Sequence, residues 1–134
     1  MKDFIPYQQA LTLKELGFYE PCFGYFLNNN KFYLFNDCKW EERTNSDFID
    51  HFMDRDISCV VPTFSQSFRF FREKYGLSGY PFSQSSQTNI WFKYFVQQEW
   101  KDQITSDSFI THEEAELECL KKLIEIVKTM NDAK

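Results

Sequence analysis

The sequence is poor in glycine and proline, with four of each in 134 residues, and no apolar run is long enough to span a bilayer. By contrast, it has 16 phenylalanines, and aromatic residues make up 19% of the chain. Few backbone breakers and many large rings are the reverse of a disordered composition, because each ring can bury a large apolar area. Half of this chain would be difficult to stabilise as a separate domain. We therefore expect a single globular domain over residues 1–134, without membrane association.

Signatures of metal and cofactor chemistry are also scarce. The four cysteines are widely spaced and form no Cys-x-x-Cys pair: Cys22, Cys38, Cys59 and Cys119. The only histidines, His51 and His112, give no zinc-type ligand spacing. A cysteine–histidine nucleophile would also need a third group that orients the base, and the sequence indicates none. There is no glycine-rich phosphate loop or Gly-x-Ser-x-Gly motif, so we expect no cofactor and no catalytic residues.

The first residues, up to Pro6, contain no apolar stretch of the kind found in secretion signals. Thiols remain reduced in the cytosol, where disulfides are rare. Unpaired cysteines are among the most frequently buried residues. We therefore expect a cytoplasmic protein with four free thiols.

Charge is unevenly distributed along the chain. The formal net charge is −5, from 15 basic and 20 acidic residues, which argues against a general duplex-DNA binder. Residues 36–56 contain seven acidic and three basic side chains, whereas residues 69–93 contain four basic side chains and one acidic. This distribution predicts a basic patch near the middle of the chain on an otherwise acidic protein.

Hydrophobic periodicity and turn residues predict alternating helices and hairpins. In chain order the pattern predicts a helix (6–16), a hairpin (22–27 and 31–36), a strand (57–61), a helix (64–75), a hairpin (80–83 and 89–97) and a helix (111–130). A further helical turn is predicted within residues 46–54. The expected fold class is α+β. Two helix–hairpin units would form an antiparallel sheet, which a long C-terminal amphipathic helix closes.

The C-terminal helix is the clearest of these elements. Thr111 and Glu114 have the spacing of a capping box, in which each side chain bonds to the other residue's backbone amide. Apolar residues then recur at helical spacing through Met130, which predicts one broad buried face. We expect Leu120, Ile124 and Val127 to lie within that face.

Three segments, residues 9–18, 68–75 and 113–128, together resemble a family of small phage- and prophage-associated proteins of gut anaerobic bacteria. The resemblance extends over most of the chain. It implies a phage or mobile-element setting in a bacterial cytoplasm. It implies no activity and no catalytic residue.

An acidic cluster offers a candidate metal site. Its residues fall at i, i+3, i+4 and i+7 and would share one helix face: Asp47, Asp50, His51 and Asp54. Carboxylate and imidazole groups on one face suit a divalent metal. The same spacing is also typical of a solvated face opposite an apolar one, so both interpretations stay open.

A second group of residues combines cations with large rings. On the middle helix, Phe70 lies roughly 160° from Phe68 and so outside the main apolar stripe. On the following strand, Trp91 and Phe95 alternate onto the same face as Lys93. Aromatic residues and arginine are enriched at the centres of protein interfaces. The predicted binding surface consists of Arg69, Phe70, Arg72, Trp91, Lys93 and Phe95, with some of its rings partly exposed.

The leading hypothesis from these patterns is a non-enzymatic interaction module that acts through protein–protein contact. Its partner would be another protein or a second copy of the chain in a homo-oligomer. The first alternative is a single-stranded nucleic-acid-binding protein, since bases stack on rings while cations follow the backbone. The second is a metal-dependent enzyme that uses the acidic cluster.

Overall fold

The computed structural model describes residues 3–27, 31–34, 57–98, 101 and 103–132. Within these ranges the fold is α+β, with three helices and two three-stranded antiparallel sheets. The chain divides into two compact units, Met1–Thr63 and Phe64–Lys134. The prediction of one antiparallel sheet is wrong for the described strands. Each predicted hairpin instead pairs with a third strand from its own unit. The middle strand of each sheet is therefore paired on both sides.

The first unit contains one helix and one sheet in its described part. Its elements are α1 (Tyr7–Glu15), β1 (Gly24–Leu27), β2 (Phe32–Leu34) and β3 (Ile57–Val61). The strand order is β2-β1-β3, and both pairings are antiparallel. α1 packs against β3. The bounds of β3 agree with the prediction. β1 begins two residues later than predicted, and the predicted end of the second strand, at residue 36, lies outside the described residues.

The end of α1 follows from its sequence. Gly17 has a φ of 90°, which glycine adopts readily because it has no Cβ. The backbone N–H of Phe18 donates to the carbonyl oxygen of Leu13 at 2.9 Å, and that of Gly17 donates to Lys14 at 3.1 Å. These two bonds define a Schellman motif. Leu13 and Phe18 are both fully buried, as the apolar contact that often accompanies this motif requires.

Aromatic rings fill one side of the first sheet. The ring centroids of Phe4 and Phe32 are 4.9 Å apart, and those of Phe26 and Phe32 are 5.6 Å apart. Tyr7 of α1 contacts Phe26 edge-on at 5.3 Å. A Cβ added to Gly24 would lie 2.6 Å from the Phe32 ring, so the absent side chain makes room for that ring.

The second unit contains two helices and a three-stranded sheet in its described part. Its elements are α2 (Phe64–Tyr75), β4 (Leu77–Ser85), β5 (Ile90–Gln98), β6 (Gln103–Thr105) and α3 (His112–Asp132). The strand order is β4-β5-β6. α3 packs against β4, β5 and α2, and α2 also packs against β4. α2 ends at Tyr75, as predicted, and the next residue, Gly76, has a φ of 67°.

β4 is longer than the predicted strand 80–83 at both ends, and it includes Gly79 as well as Pro81. Proline lacks the N–H that a central strand needs, but β4 lies at the sheet edge and pairs only with β5. A Cβ on Gly79 would lie 3.0 Å from Cys119 Sγ and 3.0 Å from Leu123 Cδ1. Gly79 therefore allows α3 to approach the strand closely.

α3 agrees with its prediction in both cap and buried face. The backbone N–H of Glu114 donates to Thr111 Oγ1 at 3.1 Å, which is one half of the predicted capping box. Leu120, Ile124 and Val127 are buried, which confirms the predicted face. No helix of the described ranges is long and apolar enough to cross a membrane.

Candidate interaction surface

The register of the second sheet assigns alternate residues to its two faces. Gly79 pairs with Val96, and the approach of α3 to Gly79 identifies that face as the one beneath α3. Side chains alternate along a strand, so the neighbouring pairs point away from α3. We call this second side the outer face. Its residues are Ser78, Tyr80, Phe82, Gln84, Trp91, Lys93, Phe95, Gln97, Gln103 and Thr105.

Four aromatic rings of the outer face are partly accessible to solvent. Tyr80 is 51% exposed, and Phe82, Trp91 and Phe95 are half-buried. Tyr80 and Phe95 are cross-strand partners with ring centroids 5.1 Å apart and an interplanar angle of 39°. The outer face therefore presents four rings that are not fully covered, and two of them, Tyr80 and Phe95, pack against each other.

Trp91 is held in place by its cross-strand neighbour. Its indole Nε1–H donates to Oε1 of Gln84 at 3.0 Å, which satisfies the one polar atom of the ring. Gln84 and Trp91 are paired in the β4–β5 register. This bond restrains the indole, so less conformational entropy would be lost when a ligand stacks on it.

Lys93 is the only charged residue in the three strands. It pairs across the sheet with Phe82 and is half-buried. No carboxylate of the described ranges forms an ion pair with it. The outer face therefore has one cation surrounded by rings and uncharged polar side chains.

The predicted binding surface is only partly brought together. Trp91, Lys93 and Phe95 share the outer face, as their alternation predicts. Arg69 and Arg72 are exposed on α2, a separate element that packs against β4 and α3.

Phe70 is a correction to the predicted surface, because only 7% of it is exposed. Its ring contacts Phe71 at 5.4 Å and Tyr75 at 6.0 Å between centroids. Lys74 Nζ lies 5.5 Å from the Phe70 centroid, a distance at which a cation is attracted to the ring. Phe70 therefore belongs to the packed part of α2 and not to an exposed binding surface.

The sequence prediction missed Tyr80 and Phe82, which add two rings to the outer face. Both lie on β4 and alternate with the uncharged residues Pro81 and Ser83. A strand over 80–83 is predicted, but alternation within four residues does not show which face of the sheet its rings occupy. The register with β5 is what places these rings beside Lys93 and Phe95.

The candidate metal residues Asp47, Asp50, His51 and Asp54 lie outside the described residues. Elsewhere, among the side chains that the structure does describe, no group of three or more His, Cys, Asp or Glu residues could hold a metal ion.

Three of the four thiols can be located. Cys22, Cys59 and Cys119 are buried thiols that form no disulfide, and Cys38 lies outside the described residues. Burial raises the pKa of Cys59 to about 11. Burial, with a smaller contribution from the charge of Glu116, raises the pKa of Cys119 to about 12. The thiolate is the nucleophilic form of cysteine, so these pKa values disfavour a nucleophilic role for either residue.

We expect the folded Cys38→Ser variant to resist thiol labelling. At pH 8, only about 0.1% of a thiol with a pKa near 11 is ionised, and burial limits reagent access. The labelling rate should therefore rise steeply in urea, once unfolding exposes the remaining thiols. A colorimetric thiol assay would measure this rate. Rapid labelling of the native variant would contradict the buried positions.

Comparisons with protein-family models, curated proteins and solved structures found no match for this chain. The rings of the outer face offer flat apolar surfaces for stacking, and its glutamines offer hydrogen-bond donors and acceptors. Its single ammonium group can bind an anion.

Proposed function

We propose that this protein is a non-enzymatic interaction module that binds another protein through the outer face. The observation that supports this proposal is the group of partly exposed rings of Tyr80, Phe82, Trp91 and Phe95 around Lys93. Tryptophan and tyrosine are among the residues that contribute most to binding free energy in protein interfaces. Charged residues are depleted at interface centres, as they are here.

The charge of the outer face favours a protein partner over nucleic acid. A single-stranded nucleic-acid site normally tracks several phosphates with a positively charged groove. The three strands offer one cation, Lys93, and the whole chain has a net charge of −5. Single-stranded nucleic acid stays a second candidate, because Lys93 lies among rings on which bases could stack.

The sequence resemblance supports a setting for this activity, a phage or prophage protein in a bacterial cytoplasm. In that setting the partner is a host or phage protein, or a second copy of this chain. The metal-dependent enzyme is the weakest proposal and depends on the acidic cluster, which metal analysis of the purified protein would test.

Replacement of Trp91 by alanine should abolish most of the binding to the protein partner. The loss of a central hot-spot ring costs about 2 kcal/mol or more, a reduction in affinity of roughly 30-fold. Affinity capture with immobilised wild-type and Trp91→Ala protein, followed by quantitative mass spectrometry, would measure the change. Light scattering of the purified protein would show whether the partner is a second copy.

Tyr19→Ala is the matched control, because Tyr19 is an aromatic residue of the first unit and is 53% exposed. It should capture the partner as well as the wild type does, and circular dichroism should show both variants folded. Equal capture by Trp91→Ala would overturn the proposal. Nuclease-sensitive capture, with oligonucleotide affinity that falls steeply with salt, would favour the second candidate.

A further inference from the structure

We propose that the partner presents an extended segment with a carboxylate flanked by apolar side chains, and that Lys93 recognises this carboxylate. This inference rests on the proposed function and specifies the chemistry of the partner. It makes Lys93 the residue that determines which segments can bind. The flanking rings of Trp91 and Phe95 supply the apolar contacts.

The position of Lys93 is the first reason to expect a carboxylate in the ligand. It is half-buried among rings, and the described residues provide no ion-pair partner for it. A ligand that covered the rings with apolar groups alone would remove water from the ammonium group of Lys93 without compensation, and that would oppose binding. A carboxylate in the ligand removes this penalty.

The spacing of residues along β5 is the reason to expect an extended segment with apolar residues on both sides of the carboxylate. Trp91 and Phe95 each lie two residues from Lys93 on the same face. Residues two apart in a strand are separated by about 7 Å. An extended peptide running along β5 has the same repeat. It would place an acidic residue at Lys93 and the residues two before and two after it over the rings. The expected motif is therefore apolar-x-acidic-x-apolar.

The number of cations on the outer face is the reason to expect a single carboxylate. One ammonium group can balance one carboxylate, whereas a nucleic-acid strand has a phosphate at every nucleotide. The strands of the sheet contain no second lysine and no arginine. The charge of the outer face therefore matches a peptide with a single acidic residue at its centre.

Selection from a library of random displayed peptides would test this inference. The wild-type protein, Lys93→Gln and Trp91→Ala would each serve as bait. We expect the wild type to enrich peptides with an acidic residue between apolar residues at i−2 and i+2. We expect Lys93→Gln to retain the apolar preference and to lose the acidic one.

The selection separates the inference from the proposed function on which it rests. If the wild type enriches peptides without an acidic preference, or if Lys93→Gln keeps that preference, then the inference is wrong and the proposed function stands. If the wild type enriches nothing beyond Trp91→Ala, both fail.

A binding cycle with one selected peptide gives the quantitative test. Lys93→Gln should weaken binding of the acidic peptide by about fivefold, the effect of one partly exposed ion pair. It should not weaken binding of the same peptide with its acid replaced by glutamine. Lys128→Gln, which changes an exposed lysine on α3, is the matched control and should behave as the wild type. Equal losses for both peptides, or a loss with Lys128→Gln, would overturn the role of Lys93.

Discussion

Leu120→Ala is expected to lower the free energy of unfolding by about 2–5 kcal/mol. Leu120 is fully buried on α3, the helix that packs against β4, β5 and α2. Truncation would remove buried methyl groups and leave a cavity that close-packed neighbours fill only in part. A loss of this size is a large fraction of the stability of a typical domain. Urea denaturation followed by circular dichroism would measure it.

The neighbouring residue provides the control. Lys121 is exposed on the same helix and forms a 3.2 Å ion pair with Glu118, and both side chains remain more than 40% accessible. Such exposed pairs contribute little, so Lys121→Ala should change the free energy of unfolding by less than about 0.5 kcal/mol. If Leu120→Ala had an effect equally small, the packing of α3 in the second unit would be misassigned.

The features that the sequence predicted well are those set by local interactions. The first two helices end within one residue of their predicted bounds, 16 and 75, because Gly17 and Gly76 adopt the positive φ that other residues avoid. Thr111 starts α3 through a hydrogen bond to a residue three positions along. The buried face of α3 follows from helical spacing alone. None of these features requires knowledge of which distant segment lies nearby.

The features that were missed depend on contacts between distant residues. The addition of β3 to the first hairpin and of β6 to the second joins residues that local periodicity cannot connect. β6 has only three residues, too few to display a period of two. For the outer face, periodicity identified Trp91, Lys93 and Phe95, but only the register with β4 adds Tyr80 and Phe82.

Phe70 illustrates the limit of assigning exposure from a helical wheel. The wheel correctly separates Phe70 from the main apolar stripe, but it does not describe how the side chains lie. The ring of Phe70 contacts Phe71 and Tyr75, and only 7% of the residue is exposed. A residue outside the main stripe can therefore still be buried, and exposure cannot be assigned from angular position alone.

Phe70→Ala is accordingly expected to destabilise the protein without a direct effect on partner binding. Phenylalanine-to-alanine changes in cores cost about 3–5 kcal/mol. Because 7% of Phe70 is exposed, we expect a loss of about 3 kcal/mol in the free energy of unfolding. Urea denaturation would give this value. Affinity capture under conditions in which the variant remains folded should show undiminished partner binding, because Phe70 lies outside the outer face.

Arg72→Ala is the control for Phe70→Ala, because Arg72 is exposed on the same helix and its removal should change stability by less than about 0.5 kcal/mol. Trp91→Ala should show the opposite behaviour to Phe70→Ala, with a large loss of binding and a smaller loss of stability, since Trp91 is only half-buried. The opposite outcome would be a stable Phe70→Ala protein that no longer captures the partner. That result would place Phe70 in the binding surface and would contradict its buried position.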